Sequence, residues 1–276
     1  MVCDTKALSA SVDLKETEPL STVPGATIPL HGVLVPTETI NLEAIEGFDL
    51  SDDSQEDTHK VMIDNMDMCC NYFNFDNCKI QNIRSRGLLI KASNGTITNC
   101  TFRNIGMACA AILYELYYGE SGVTENLLVD RNLFDHTGYF VNQDLYATIS
   151  ITGLGSSVEE DYLLYKNITI SNNVIKNRTT DYAVYVNSAR DVKIMNNDFG
   201  SFVGNDFTSH PEEPETAANP KPAIHIHGAM NIEISDNKYS QEDWVVGDYI
   251  HAEKHKNIFG TDVTIKGIPL IPDDPS

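Results

Sequence analysis

Several acidic residues lie beside aromatic residues or at the end of a strand-like segment, and they could supply acid–base chemistry. They are Glu115, Glu120, Asp144 and Glu253. Glu120 lies in the segment Tyr-Tyr-Gly-Glu-Ser-Gly at residues 117–122. Aromatic rings cover the apolar face of a pyranose and carboxyl groups hold or protonate its oxygens, so this composition is typical of a sugar site. We therefore predict that Glu115, Glu120 and Asp144 supply the acid and the base of a glycosidase; retention and inversion both stay open.

Basic, aromatic and amide residues near these acids are predicted to bind the substrate. They are Arg84, Arg86, Lys91, Tyr118, Tyr185, Asn187, His225 and His227. Lys91 is expected to stack beside Glu115 and, as an ion pair, to lower the pKa of that carboxyl. The pair His225-x-His227 with Glu253 is compatible with a metal site. Hydrogen bonding to a ligand or an ordinary surface position is favoured for these histidines, so we predict no metal and no cofactor.

The charge of the chain restricts its partners. Lys and Arg number 19 against 40 Asp and Glu, which gives a formal net charge of −21. A nucleic-acid backbone or an anionic membrane surface would be repelled, so a neutral or cationic ligand, here a glycan or oligosaccharide, is favoured. The sequence contains no apolar run of about 18 residues, so no membrane-inserted helix is predicted. No signal peptide is visible, and an exported form would be expected in a bacterial envelope or outside the cell.

An internal repeat positions these residues. Six segments share the pattern apolar-x-apolar-x-x-(Asn/Cys)-x-apolar, with key positions at Cys78, Cys100, Asn132, Asn173, Asn197 and Asn237. The intervals of 22, 32, 41, 24 and 40 residues indicate a unit of 22–24 residues, extended by insertions in three copies. Short strands that recur without helices predict the stacked coils of a parallel β-solenoid. The repeated Asn is expected to tolerate left-handed backbone at a turn and to form a ladder of stacked amides, with the two cysteines in its first rungs.

Each repeat carries a second strand whose outward residues should form two columns at a spacing of about 4.8 Å. The first column is predicted to contain Leu89, Leu113, Ser150, Tyr185, His225 and His251. The second column is predicted to contain Lys91, Glu115, Thr152, Asn187, His227 and Glu253. Insertions at residues 116–124, 139–145, 153–165 and 204–221 border these strands. Together they predict a groove with loop walls over an uninterrupted polar and aromatic strip.

Three segments resemble the bacterial right-handed parallel β-helix proteins, and within them the α-galactosidases of glycoside hydrolase family 110. They are Asn-Ile-Arg-Ser-Arg-Gly-Leu-Leu-Ile-Lys-Ala-Ser-Asn-Gly at 82–95, Asn-Cys-Thr-Phe-Arg-Asn-Ile-Gly-Met at 99–107 and Tyr-Gly-Glu-Ser-Gly at 118–122. The match covers about a quarter of the chain. The resemblance implies a right-handed β-helix and a galactosidase-like hydrolase, with Arg86 and Glu120 as the first residues to carry family roles. A non-catalytic glycan-binding module, a structural solenoid and a polysaccharide lyase stay open as alternatives.

The predicted fold class is all-β, a right-handed parallel β-helix of about seven coils with long loops bordering one face. Residues 1–59 are predicted to lead into or cap the helix, residues 60–267 to form it, and residues 268–276 to form a tail. None of the six cysteines occurs in a Cys-x-x-Cys pair. We expect buried free thiols, with a disulfide as the alternative.

Overall fold

The structure is a computed structural model of the 276-residue chain. It describes residues 2–3, 61–62, 72–113, 123–140, 147–152, 163–180, 182–200, 203, 222–240, 249–266 and 270–271. The chain divides into two units, residues 1–64 and 65–276. In the first unit, Val2–Cys3 pairs antiparallel with Val61–Met62. The domain bounds drawn from the sequence stay predictions.

The second unit is a β-helix whose coils each run through three faces. Face A comprises Leu88–Ile90, Ala110–Leu113, Ala147–Thr152 and the first residues of three long strands, Tyr182–Met195, Ile224–Ser235 and Ile250–Phe259. Face B comprises Phe73–Asp76, Gly95–Thr98, Glu125–Asp130, Tyr165–Ser171 and the remainder of the long strands. Face C comprises Lys79–Ile83, Thr101–Ile105, Leu133–Thr137, Val174–Arg178, Asp198–Phe199 and Lys238–Tyr239. Helix Thr261–Lys266 follows the last long strand, and Leu270–Ile271 pairs with Ala252 and Glu253.

Among the described residues of this unit, all strand pairs are parallel, and face B has seven rungs. The predicted parallel β-helix of about seven coils is therefore confirmed. Its coils have three strands where the sequence pattern suggested two. The motif that begins at Phe73 contains two strands, Phe73–Asp76 and Lys79–Ile83, separated by a turn at Asn77.

The core lies inside the coils, where every second residue of each strand points inward. On face A the inward column runs through Ile149, Val184, Ile224 and Ile250, which pair in register and are buried. Burying each such side chain contributes about 1.5–3 kcal/mol. The frame that carries the outward residues is therefore a continuous aliphatic stack.

The repeated key residues form one file of hydrogen bonds, which we call the inner ladder. It consists of Cys78, Cys100, Asn132, Asn173, Asn197, Asn237 and, unpredicted, Asp262. At the first three asparagine rungs the backbone N–H and side-chain Nδ2 both donate to the Oδ1 of the next asparagine, as Asn173 does to Asn197 at 3.0 Å each. Asn237 donates the same two bonds to Asp262 Oδ2. Nδ2 also donates to a backbone carbonyl, which is Val129 O for Asn173, at 2.9 Å. The predicted asparagine ladder, with both cysteines in its first rungs, is confirmed.

Left-handed backbone at this turn belongs to the residue before each ladder residue. Those residues are Asn77, Asn99, Arg131, Asn172, Asn196 and Asp236, each with φ between 54° and 58°. The expectation that the ladder asparagine itself adopts the left-handed backbone was therefore wrong by one residue. The ladder residue is retained for its buried amide, which meets backbone and side-chain groups that water cannot reach.

Outside the coils, other residues with positive φ stack in the same way. Asn167 donates through Nδ2 to Asn126 Oδ1 at 2.6 Å, and Asn126 donates to Asn94 at 2.8 Å. In a second file, His136 Nδ1 lies 2.9 Å from Asn104 Oδ1, and both residues are half-buried. His136 has φ of 58°, so it takes the place of an asparagine in a turn.

Candidate functional site

The outward columns of face A differ from their predicted register at the second coil. Ser150 pairs with Ala111 and Thr152 pairs with Leu113. The predicted pairing of Leu113 with Ser150 was therefore wrong by two residues. The cause is the segment Ala-Ala-Ile-Leu at Ala110–Leu113, where both alternating phases are apolar and give no signal for the outward one. Glu115, assigned to the second column by the same register, lies outside the described residues.

The strip along face A is also not uniformly polar. Ala111 and Ser150 are fully buried although they point away from the main core. Ala108 and Ala111 form a second small hydrophobic cluster with Met107 and Leu113. The prediction of an uninterrupted polar and aromatic strip was wrong at the coil of Ala111 and Leu113. The polar and aromatic part begins at Ser150 and Thr152, which hydrogen-bond to each other, and continues through Tyr185. Most of the insertions predicted to wall the groove lie outside the described residues.

Four rings gather on face A where the later coils meet, and with three neighbouring polar residues they form what we call the tyrosine–histidine cluster. Its members are Tyr182, Tyr185, Asn187, His225, His227, His251 and Glu253. The rings of Tyr182 and Tyr185 are stacked at 6.2 Å and 19°, and both lie against the His225 ring, at 4.7 and 5.3 Å. The His225 ring stacks on that of His251 at 4.9 Å. Strand register holds this arrangement, because His225 pairs with Tyr185 on one side and with His251 on the other.

The polar members of the cluster lie two residues further along each strand, in the second outward column. His227 pairs with Asn187 in one coil and with Glu253 in the next. His227 Nδ1 lies 2.9 Å from Glu253 Oε1, and His225 Nε2 lies 3.3 Å from the same oxygen. Asn187 donates through Nδ2 to the Tyr185 hydroxyl at 3.2 Å and accepts from Ser188 Oγ at 2.6 Å. Each polar group is therefore oriented by a neighbour.

Burial and neighbouring charges set the protonation states of His225 and Glu253. Burial, followed by the nearby His251, lowers the pKa of His225 to about 4, although Glu253 opposes the shift. The hydrogen bond from His227 holds the pKa of Glu253 below its ordinary value. At neutral pH the cluster therefore presents a neutral His225 and an ionised Glu253. An ionised carboxylate can act as a base, a nucleophile or a metal ligand, but it has no proton to donate.

The structure brings together four of the predicted binding residues, Tyr185, Asn187, His225 and His227. Arg84, Arg86 and Lys91 adjoin the first rung of face A, about four rungs or 19 Å from His225 along the axis. Arg84 places its guanidinium 4.3 Å from the Phe140 ring centroid. Glu115, Tyr118, Glu120 and Asp144 lie outside the described residues, so their predicted roles stay predictions.

Sequence reasoning missed Tyr182 and gave His251 no role beyond its column. Tyr182 begins its strand three residues before Tyr185, out of phase with the alternation that was used to find outward residues. A signal for His251 was available, because the pattern His-x-His at His225 recurs as His-x-Glu one coil later. That recurrence places an imidazole and a carboxylate on adjacent rungs.

The parallel coils and the inner ladder define a β-helix repeat protein, whose face A carries the tyrosine–histidine cluster. Consistent with this class, the sequence matches the family described as the right-handed beta helix region over residues 61–201. The match spans just over half of the chain, and the protein belongs to this family. No curated protein matches the sequence. In the part of the chain that the structure describes, no helix is long and apolar enough to cross a membrane.

Proposed function

We propose that the protein is carbohydrate-active and binds a glycan at the tyrosine–histidine cluster. The observation that carries this proposal is the set of stacked rings on Tyr182 and Tyr185, with the amide of Asn187 and the carboxylate of Glu253 beside them. Rings that cover an apolar sugar face and oriented polar groups that bind its hydroxyls are the two requirements of a sugar site. Parallel strands hold both sets on a rigid frame, so little order has to be gained on binding.

The charge of the protein favours a neutral glycan. The formal net charge of −21 would repel a polyuronate, the substrate of a lyase, and leaves a neutral oligosaccharide as the better ligand. A neutral glycan lacks the carboxylate that a lyase uses to stabilise its carbanion. Hydrolysis of a neutral glycoside, of the galactosidase kind, is therefore the reaction that we assign to a catalytic version of this site.

Within such a mechanism Glu253 is the candidate base or nucleophile, because its lowered pKa keeps it ionised. A hydrolase also needs a protonated carboxyl group for the leaving oxygen. The sequence-based candidates for that acid are Glu115, Glu120 and Asp144, and they enter here as part of the proposal. The separation of the two carboxyl groups would decide between retention and inversion.

Calorimetric titration with a panel of neutral and uronic oligosaccharides tests binding, and a panel of aryl glycosides tests turnover. Tyr185→Ala should weaken neutral-glycan binding about tenfold, through loss of a ring contact. Phe259→Ala, which removes an exposed ring from the outer side of face B, is the matched control and should leave affinity unchanged. Glu253→Gln should keep binding and abolish turnover.

Three results would revise the proposal. Saturable binding with no product over days would make the protein a glycan-binding module. An unchanged rate in Glu120→Gln would remove that residue as the acid. Failure of every glycan to bind would contradict the carbohydrate assignment altogether.

A further inference from the structure

Three side chains of the tyrosine–histidine cluster have a geometry that hydrogen bonding to a sugar does not require. His225, His251 and Glu253 each bring a possible ligand atom to within 4.8 Å of the other two. His225 Nε2 and Glu253 Oε1 are 3.3 Å apart. Two ligands of a tetrahedral Zn²⁺ ion, each about 2.0–2.1 Å from the metal, lie about 3.3–3.4 Å apart. This pair therefore already has the separation that coordination of one ion would impose.

We propose that His225, His251 and Glu253 bind one divalent transition-metal ion. Two imidazoles and one carboxylate, with positions left open, suit Zn²⁺ and its first-row neighbours, whereas Ca²⁺ and Mg²⁺ prefer sets of oxygen ligands. The three ligands come from two adjacent strands that pair in register, His225 with His251. The inference goes beyond glycan binding, since it would hold even if the face bound no sugar.

The position of the His225 ring suits coordination through Nε2. This nitrogen faces Glu253 Oε1 at 3.3 Å, and the ring is held between Tyr182, Tyr185 and His251. Coordination would therefore need little movement of this side chain. The other ring nitrogen, Nδ1, is buried and has no hydrogen-bond partner among the described residues, and coordination through Nε2 leaves it so.

A neighbouring histidine orients the carboxylate of this set. His227 acts as a positioning residue, because its Nδ1 holds Glu253 Oε1 at 2.9 Å. A neighbour that orients a metal-binding carboxylate in this way typically changes metal affinity 10–100-fold when it is removed.

The widest pair of ligand atoms has to close by at most about 1.5 Å for tetrahedral coordination. A rotation of the His251 side chain is sufficient, because His251 is half-buried at the outer end of the ring stack. Metal binding should therefore fix the rings of His225 and His251 in one arrangement and raise the melting temperature.

The test is calorimetric titration of chelator-stripped, full-length protein with Zn²⁺ alone, together with Co²⁺ absorption spectra and thermal melting. We expect one Zn²⁺ per chain, a higher melting temperature and a Co²⁺ spectrum of four- or five-coordinate type. His251→Ala and Glu253→Gln should each weaken Zn²⁺ binding at least tenfold. His136→Asn, which keeps the side-chain contact with Asn104 outside the coils, is the matched histidine control and should bind as the wild type does.

Several outcomes would overturn the proposal. Wild-type affinity in the double variant His251→Ala/Glu253→Gln would show that Zn²⁺ binds elsewhere. Equally tight Ca²⁺ binding would rule out the histidine ligands, and absence of stoichiometric Zn²⁺ binding would rule out the site. Far-UV circular dichroism of each variant establishes that it is folded, and His251→Gln offers a second variant of closer size. No step needs a sugar, so this test can fail while glycan binding stands.

Discussion

Replacing Asn173 by alanine removes one complete rung of the inner ladder. Its Oδ1 accepts from the backbone N–H and from Nδ2 of Asn132, both at 3.0 Å, and its Nδ2 donates to Val129 O and Asn197 Oδ1 at 2.9 and 3.0 Å. Asn173 is fully buried, so the Asn132 N–H would lose its acceptor in a place without water. That group alone costs about 2 kcal/mol and the three remaining bonds about 2 kcal/mol together, which gives a loss of about 4 kcal/mol.

The matched control is Asn167→Gly on the same coil. Asn167 also belongs to an amide stack but is exposed, and its φ of 55° suits glycine. Its loss should cost less than about 1 kcal/mol, because water replaces the missing partner. Urea unfolding followed by far-UV circular dichroism gives both values. If Asn173→Ala destabilises the protein no more than Asn167→Gly does, the inner ladder is not what holds the coils in register.

Three further outcomes follow from buried groups. Burial raises the pKa of the Cys109 thiol well above its ordinary value of 9.0. Iodoacetamide at pH 8.5 should therefore leave Cys109 unlabelled until urea is added, which peptide mass spectrometry can measure. Labelling of Cys109 in the folded state would contradict its burial. Above about pH 9 the unfolded thiol ionises while the folded one does not, so this group makes stability fall as pH rises. Asp262→Ala should cost about 2 kcal/mol in urea unfolding by leaving Asn237 without its acceptor, and a neutral result would remove the terminal rung. Phe134→Ala, which deletes a fully buried ring stacked on Phe102 at 4.9 Å, should cost about 3–5 kcal/mol in the same assay, and a loss below about 1 kcal/mol would contradict the packing.

The stacking of the coils could be predicted because a parallel β-helix repeats its chemistry at each turn of the chain. Asn132, Asn173, Asn197 and Asn237 recur within one apolar pattern, and the buried amide explains why that residue type recurs. The third face escaped prediction because the turn at each ladder residue interrupts the alternation inside the motif. Asp262 escaped because it lies in a short helix, and as the last rung it needs only an acceptor.

The candidate site was predicted in part. Tyr185, Asn187, His225 and His227 could be placed together because their strands have clear alternation and equal phase. The register at Ala111 could not be read, since alanines and aliphatic residues fill both phases there. Contacts such as the stack of Tyr182 on Tyr185 depend on side-chain rotation at a strand end, which period-two patterns do not encode. Glu120 and Asp144 lie in segments that the sequence predicts as insertions, and strand pairing predicts no distance between such segments and Glu253.

The most direct test is a crystal structure of the full-length protein soaked with the neutral oligosaccharide that binds most tightly in the titration panel. We predict a sugar ring against Tyr182 or Tyr185, with hydrogen bonds to Asn187 or Glu253 on the next column. A sugar bound on face B or face C, with the tyrosine–histidine cluster in contact with solvent alone, would contradict the assignment of this face as the functional one.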